Sequence, residues 1–490
     1  MAAPEIIHGS GINALTGDYG FSMDQDTLYE MILAERSAPD PDEQFFVTVQ
    51  TEGRTTKTLG LPSFIDPLDL GDSRWGIVWP PQPLTQQEEQ HRTALQALIA
   101  HRQTQNMGGL KPREFFYQAG WTYDQFLWEV GPQVAPGNLQ PAKVPYYLLI
   151  VGSPERIPWE FQYYLDGEYA VGRLWFEDPA DCAEYVKRLI AYELEPGALP
   201  NTRQALLAGP LYQDDKATAS SSTHLVRPLY DFLLDRKPKL NIDPLLLLGK
   251  DTGGGAFKSK VQQLMPAALA GGPANKSPAL LFTAGHGMEY GKPTTATEEK
   301  QQEALQGAPL FQEWPGLGTP AAPGHYLSGD QAIADLGVAG VACFCFACFS
   351  AGTPKKQDWV PEGFIVKPSE IAARPFVARL PQKLLASGAL GFIGHVSRAW
   401  EYSILGIELE SEQIVPFKDT FFRLLRGERF GHAIDPLNGQ WARLTVLLDS
   451  RVTNKASKPQ VIDTWKARND FRGYVLIGDP AARLRVEDLV

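Results

Sequence analysis

The sequence predicts an α/β protein built on an open, mainly parallel sheet with helices on both faces. Three observations carry this expectation. The chain has 490 residues, 43% hydrophobic and 11% aromatic, which suffices for a large packed core. From about residue 140 onward, apolar runs of strand length alternate with amphipathic stretches of helical period. That alternation is the signature of a sheet whose reactive groups gather at the carboxyl ends of its strands.

The elements follow in chain order. Residues 1–135 are rich in Pro, Gln and charge, with short apolar runs such as EQFFVTV and RWGIVW, and are read as an N-terminal region of separate role. Within them LTQQEEQHRTALQALIAHRQTQ predicts a helix, because Leu95, Leu98 and Ile99 recur at helical spacing before a Gly pair. The α/β domain is assigned to residues 136–490. There PYYLLIVGS is a strand ended by Gly152, ADCAEYVKRLIAYELE a helix and ALLAGP a short strand. SSTHLVRPLYDFLLD reads as a helix, and DPLLLLG and PALLFTAGHG as two more strands. GVACFCFAC and GALGFIGHV are buried strands, FKDTFFRLLRGE is a helix, and GYVLIGDP is a final strand and turn. The 45 Gly and 39 Pro residues concentrate in long loops, notably 291–328 and 351–367, and loops of that length usually serve function.

Composition narrows the function classes. A formal charge of −12 without a Lys/Arg cluster argues against nucleic acid and anionic membrane as partners. MAAPEIIHGSGIN lacks the basic and apolar segments of a signal peptide, and the longest apolar stretch, 337–349, is shorter than the roughly 20 residues of a membrane span. The expected compartment is the cytoplasm. Four cysteines, three of them within six positions, make no disulfide framework. CxCxxC with no second Cys pair does not complete a metal site either, so neither metal nor cofactor is expected.

Two strand ends carry chemistry. His286 stands between two glycines just past one apolar strand, and Cys348 ends a later one before FSAGTP. A thiol and an imidazole at neighbouring strand ends form the nucleophile and base of acyl transfer. Glycines at 285 and 287 let a peptide approach closely, and the N–H groups of Gly287 and Cys348 are the expected oxyanion donors. With a side-chain period of two, Cys343 and Cys345 share one face inside their strand and are assigned to the core. Cys348 is offset from both. His224 and His395 read as structural, and His325 and His432 carry no usable context.

These residues resemble the caspase-like cysteine peptidases, the clan that also holds gingipains, separase and legumain, and the gingipain branch most of all. Four segments carry the resemblance: YYLLIVGSPERIPWEFQYYLDGEYAVGRLWF (146–176), LLFTAGHG (280–287), FACFSAGTP (346–354) and YVLIGDPAARL (474–484). It covers about residues 140–490 and implies a three-layer α/β sandwich with a mainly parallel central sheet of about six strands, preceded by an N-terminal extension that packs on the sheet or covers its active-site end. The implied activity is that of a cysteine endopeptidase with Cys348 as nucleophile and His286 as base. Asp166 is the acid implied at the floor of an arginine-specific pocket, and Trp400 a wall of that pocket. The bland alternatives are a turn cap or a pair with Arg173 for Asp166, Glu168 then being the acid, and a core aromatic for Trp400.

The chain departs from gingipains in two respects. His286 and Cys348 are 62 residues apart, which leaves room for the long loop between them. Arg156 stands where an acid would orient the histidine, with Glu155 and Glu160 the neighbouring carboxylates.

Lys292, Lys300, Lys355 and Lys356 in the two long loops suggest a zymogen opened by nicking there or in the N-terminal region. Expected partners are protein or peptide substrates and an activating protease or regulatory partner, in a bacterial stress or defence pathway. The competing readings are a catalytically silent caspase-like scaffold and a hydrolase acting on a small amide or thioester.

Overall fold

The computed structural model describes residues 6–37, 40–56, 60–106, 109–131, 139–195, 201–249, 257–266, 276–357, 370–400, 404–405 and 413–490. The strands in chain order are β1 (Ile6–His8), β2 (Ile12–Asn13), β3 (Ser22–Asp24), β4 (Trp75–Trp79), β5 (Arg113–Phe116), β6 (Tyr147–Val151), β7 (Ala170–Leu174) and β8 (Thr202–Gly209). They continue as β9 (Asp243–Leu248), β10 (Pro278–Ala284), β11 (Met288–Glu289), β12 (Ala342–Phe346), β13 (Gly352–Thr353), β14 (Phe376–Val377), β15 (Gly391–His395) and β16 (Tyr474–Ile477).

Ten strands form one sheet in the order β5-β4-β6-β7-β16-β15-β12-β10-β8-β9. Every neighbouring pair is parallel except β15 with β16. The sheet is therefore two parallel blocks of opposite direction meeting at one antiparallel seam. The expected α/β class holds, on a wider sheet than the six strands expected. Strands such as β6, β12 and β15 are buried along their whole length, which is why they read as continuous apolar runs.

Two of the ten strands come from outside the span assigned to the α/β domain. β4 and β5 come from the region assigned to a separate N-terminal part, yet β4 pairs directly with β6 and β5 with β4. A domain boundary at residue 135 would cut through the sheet. Trp75, Ile77, Val78 and Trp79 are all fully buried, so WGIVW is central strand rather than surface.

The helix expected after it spans Gln86–Gln105, closed at its start by a capping box between Thr85 and Glu88. Its Arg102 donates to Asp479 Oδ2 from Nε (2.9 Å) and Nη2 (2.6 Å), and Trp75 Nε1 donates to Asp479 Oδ1 at 2.9 Å. The terminal IGDP motif is thus the knot that ties the first strand of the sheet and its covering helix to the last.

The helix Trp159–Asp166 returns the chain from β6 to the start of β7. The loop 291–328 contains the helix Ala296–Leu305. Of the second long loop, residues 358–367 lie outside the described residues. Lys292 and Lys355 both pair with Glu370, which joins the two loops. Among the described residues, no helix is long and apolar enough to cross a membrane.

Candidate active site

β10 and β12 are adjacent and parallel, with Ala284 opposite Phe346, so the loops that follow them emerge side by side. Gly285 N–H donates to the Phe346 carbonyl at 3.0 Å and locks the two exits together. Gly287 then presses on the Cys348 backbone so closely that any side chain at 287 would collide with the Cys348 carbonyl. The sequence puts His286 and Cys348 at strand ends; the pairing of β10 with β12 makes those ends neighbours, and this contact brings their loops together.

The loop after β12 is strained. Phe349 has φ +58° and Ser397, in the loop after β15, has φ +71°, a region that side-chain-bearing residues rarely occupy. The two are joined by the Phe349 N–H donating to the Ser397 carbonyl at 2.7 Å. Conformations of this kind carry on the order of 1–3 kcal/mol each and cluster at functional sites. Here they turn Cys348 and Ala399 toward each other: Ala399 N–H donates to Cys348 Sγ at 3.2 Å, and the thiol donates to the Ala399 carbonyl at 3.5 Å.

His286 is buried and held at both ring nitrogens. Nε2 lies 2.6 Å from Asp215 Oδ2 and Nδ1 lies 2.6 Å from the Ser10 carbonyl oxygen. Tyr212 stacks parallel on the ring at 6.0 Å, and Trp314 meets it edge-on. Asp215 follows β8, the strand beside β10, and accepts also from Tyr19 Oη (2.7 Å) and Thr218 Oγ1 (2.5 Å). Burial works to raise its pKa, but the His286 ring and these hydrogen bonds outweigh it and hold the carboxyl well below the usual range.

Cys348 has no exposed surface, and its thiol is pushed up above its ordinary value by burial first and then by the Glu289 carboxylate. Cys343 and Cys345 lie within β12 and are equally buried, their thiols pushed up by burial to about 12 and about 11. Neither the Gly287 nor the Cys348 N–H is used in a hydrogen bond among the described residues, which leaves both for a ligand oxygen. Among the described residues, no group of three or more His, Cys, Asp or Glu side chains is placed to hold a metal.

The other expected site residues fall elsewhere. Asp166 lines a separate cavity of about 270 Å³ with Gln50, Tyr146, Asp435 and Asn438. The seam puts the start of β7 at the same end of the sheet as the carboxyl end of β12, but β16 and β15 intervene. Burial raises the Asp166 carboxyl well above the usual range. Arg173 does not pair with it; the guanidinium donates to Gln162 Oε1, the Gly152 carbonyl and the Pro158 carbonyl. Trp400 is a buried aromatic packed with Ile7, Leu28 and Trp465, one residue from the Ala399 backbone that holds the thiol.

Glu155 and Glu160 line a surface cavity of about 720 Å³ with Trp159, Lys355 and Arg374, so the residue orienting His286 is Asp215 instead. Its signal was present in the sequence: YQDD follows the ALLAG strand, so a carboxylate stands at a strand end next to that of His286. The carboxylate beside the thiol is Glu289, three residues after His286. It pairs with the two-pronged guanidinium of Arg398, which is sandwiched between Phe21 and Phe349.

No protein-family model matches the chain, and no curated protein matches it closely. Among solved structures, one described as a protease is similar over 84% of this chain and 78% of its own, with a TM-score of 0.48 and 11% identity. Two structures of the separase–securin complex from Saccharomyces cerevisiae are similar over 68% of this chain, with TM-scores of 0.30 and 0.31 and 11% identity. This chain covers only 15% and 16% of those chains.

Proposed function

We propose that the chain is a cysteine endopeptidase in which Cys348 attacks the scissile carbonyl and His286 moves the protons. The observation that carries this reading is the His286 ring, gripped at Nε2 by Asp215, on a loop pressed through Gly287 against the backbone of Cys348. With Nε2 held, Nδ1 is the nitrogen left to take the thiol proton. The thiolate adds to the carbonyl carbon, and the oxyanion meets the Gly287 and Cys348 N–H groups. Nδ1–H then protonates the leaving amine, leaving a thioester on Cys348. Water, deprotonated at Nδ1, hydrolyses the thioester to the acid and restores the thiol.

Cleavage after a basic residue, arginine before lysine, is supported by Glu289 rather than Asp166. A methyl group on Gly11 would lie 3.6 Å from Cys348 Sγ and 2.5 Å from Glu289 Oε2, so a side chain arriving beside the thiol meets this carboxylate. Its present partner, the Arg398 guanidinium, has the shape such a pocket selects. A zymogen opened by nicking fits a thiol with no exposed surface. The same burial is what favours the silent-scaffold reading.

Arginyl and aspartyl fluorogenic peptides on intact and nicked chain separate the two. The expected result is arginyl hydrolysis that disappears in Cys348→Ala and His286→Ala. Aspartyl preference overturns the specificity, and no hydrolysis in any form overturns the enzyme.

A further inference from the structure

Residues 9–14 run through the cleft between the His286 and Cys348 loops. Ser10 N–H donates to the Ala399 carbonyl at 3.4 Å, Ile12 N–H to the Gly287 carbonyl at 3.2 Å, and Ala14 N–H to the Glu289 carbonyl at 2.9 Å. Ile12 and Asn13 pair in parallel with Met288 and Glu289. An extended segment held by main-chain bonds along a strand edge is the general way a sheet takes a peptide.

Its two central residues meet the chemistry directly. Gly11 lies against the thiol: a methyl group there would sit 3.6 Å from Sγ and crowd the Glu289 carboxylate at 2.5 Å. The Ser10 carbonyl oxygen lies at His286 Nδ1. A carbonyl can only accept, so Nδ1 is kept as an N–H donor, the state in which it takes no proton from Cys348. Ala399 holds the thiol on its other side.

We propose that residues 9–14 are an intramolecular strap that occupies the peptide groove and keeps the chain silent until it is displaced. This rests on the peptidase reading above and adds its control element and the path of its ligand: an extended peptide parallel to β11. The strap belongs to no strand of the ten-stranded sheet, so its release breaks no ladder of that sheet and withdraws Ile12 and Ala14 from a small side cluster with Tyr212 and Met288. It is anchored by the turn in which Gly17 N–H donates to the Asn13 carbonyl at 2.8 Å, and by Tyr19, which donates to the same Asp215 that grips His286. Displacement therefore frees Nδ1 and loosens one contact on its orienting acid in a single movement.

Iodoacetamide labelling of the full chain, read by mass spectrometry, tests the strap without requiring hydrolysis. Ser10→Pro removes the N–H that bonds Ala399. Gly17→Ala puts a side chain at φ +79° against the Thr319 backbone. Each is expected to raise labelling of Cys348 at least tenfold while Cys343 and Cys345, inside β12, stay unlabelled. Unchanged Cys348 labelling in both folded variants overturns the proposal.

The wild type supplies an arm that needs no variant. The Ile12 and Ala14 amides are expected to exchange hydrogen by local opening, at least a hundredfold faster than Leu281 and Phe344 in β10 and β12. Exchange at the rate of the sheet makes the strap a fixed part of the fold and overturns the proposal. Faster labelling without hydrolysis sinks the peptidase and leaves the strap. Hydrolysis as fast in wild type as in the variants sinks the strap and leaves the peptidase.

Discussion

The Asp215 carboxylate lies 2.6 Å from Nε2 of His286, a residue 71 positions further along the chain, in the loop after the neighbouring strand of the sheet. That bond fixes the ring's orientation and leaves Nδ1 at the Ser10 carbonyl oxygen.

Replacing Asp215 with Asn keeps the shape and removes the charge. The amide can present its N–H₂ to Nε2 and reverse the tautomer. The expected loss in kcat on an arginyl peptide is about 10²- to 10⁴-fold with KM little changed. Asp215→Glu should restore part of it and shift the pH profile. A kcat within threefold of wild type in Asp215→Asn would remove the residue from the mechanism.

The same carboxylate predicts an acid effect of known sign. Its folded-state pKa is depressed by His286 and its hydrogen bonds against the pull of burial, so the stability it adds is present above the unfolded Asp value of about 3.9 and is lost as pH falls below it. Urea unfolding at several pH values should show a constant gap between wild type and Asp215→Asn from pH 7 to 5, closing below 4. A gap unchanged at pH 3 contradicts the assignment.

The three clustered cysteines should separate by function. Cys343→Ser places a hydroxyl in a buried strand, where an unsatisfied hydroxyl costs about 1–3 kcal/mol, measurable as a lower urea midpoint. Cys345→Ser should cost less because Thr283 and Ser350 stand within reach of its side chain. Activity per folded molecule should be kept. Cys348→Ser should be inactive at near-normal stability. Full activity in Cys348→Ser, or none in a folded Cys343→Ser, contradicts the scheme.

Asp479 should matter to stability and not to chemistry. It is fully buried and shares Arg102, itself fully buried, with Glu193. Asp479→Ala leaves the guanidinium its Glu193 partner but strips the buried Nε and the Trp75 Nε1 of their acceptors, at a cost of about 1–3 kcal/mol. The loss should appear in the urea midpoint of the whole chain as one transition, because the knot joins the first of the sheet's strands in chain order to the last. An independent early transition of residues 1–135 would revive a separate N-terminal domain.

Local pattern alone disclosed the α/β class, the helix 86–105, the interior place of Cys343 and Cys345, and the strand-end positions of His286 and Cys348, because each is written in a period of two or 3.6 or in the Gly residues that end a strand. What local pattern cannot carry is the pairing of distant segments. β4 hides in a Pro-rich stretch and enters the sheet because WGIVW is buried on all sides by partners far along the chain. The antiparallel seam, the 2.6 Å grip of Asp215, the removal of Asp166 to another cavity and the passage of Ser10 and Gly11 between base and thiol were decided only when the strands assembled. The physical reason is common to all four: a carboxylate or a carbonyl binds whatever the sheet order sets beside it, and sheet order is a long-range property.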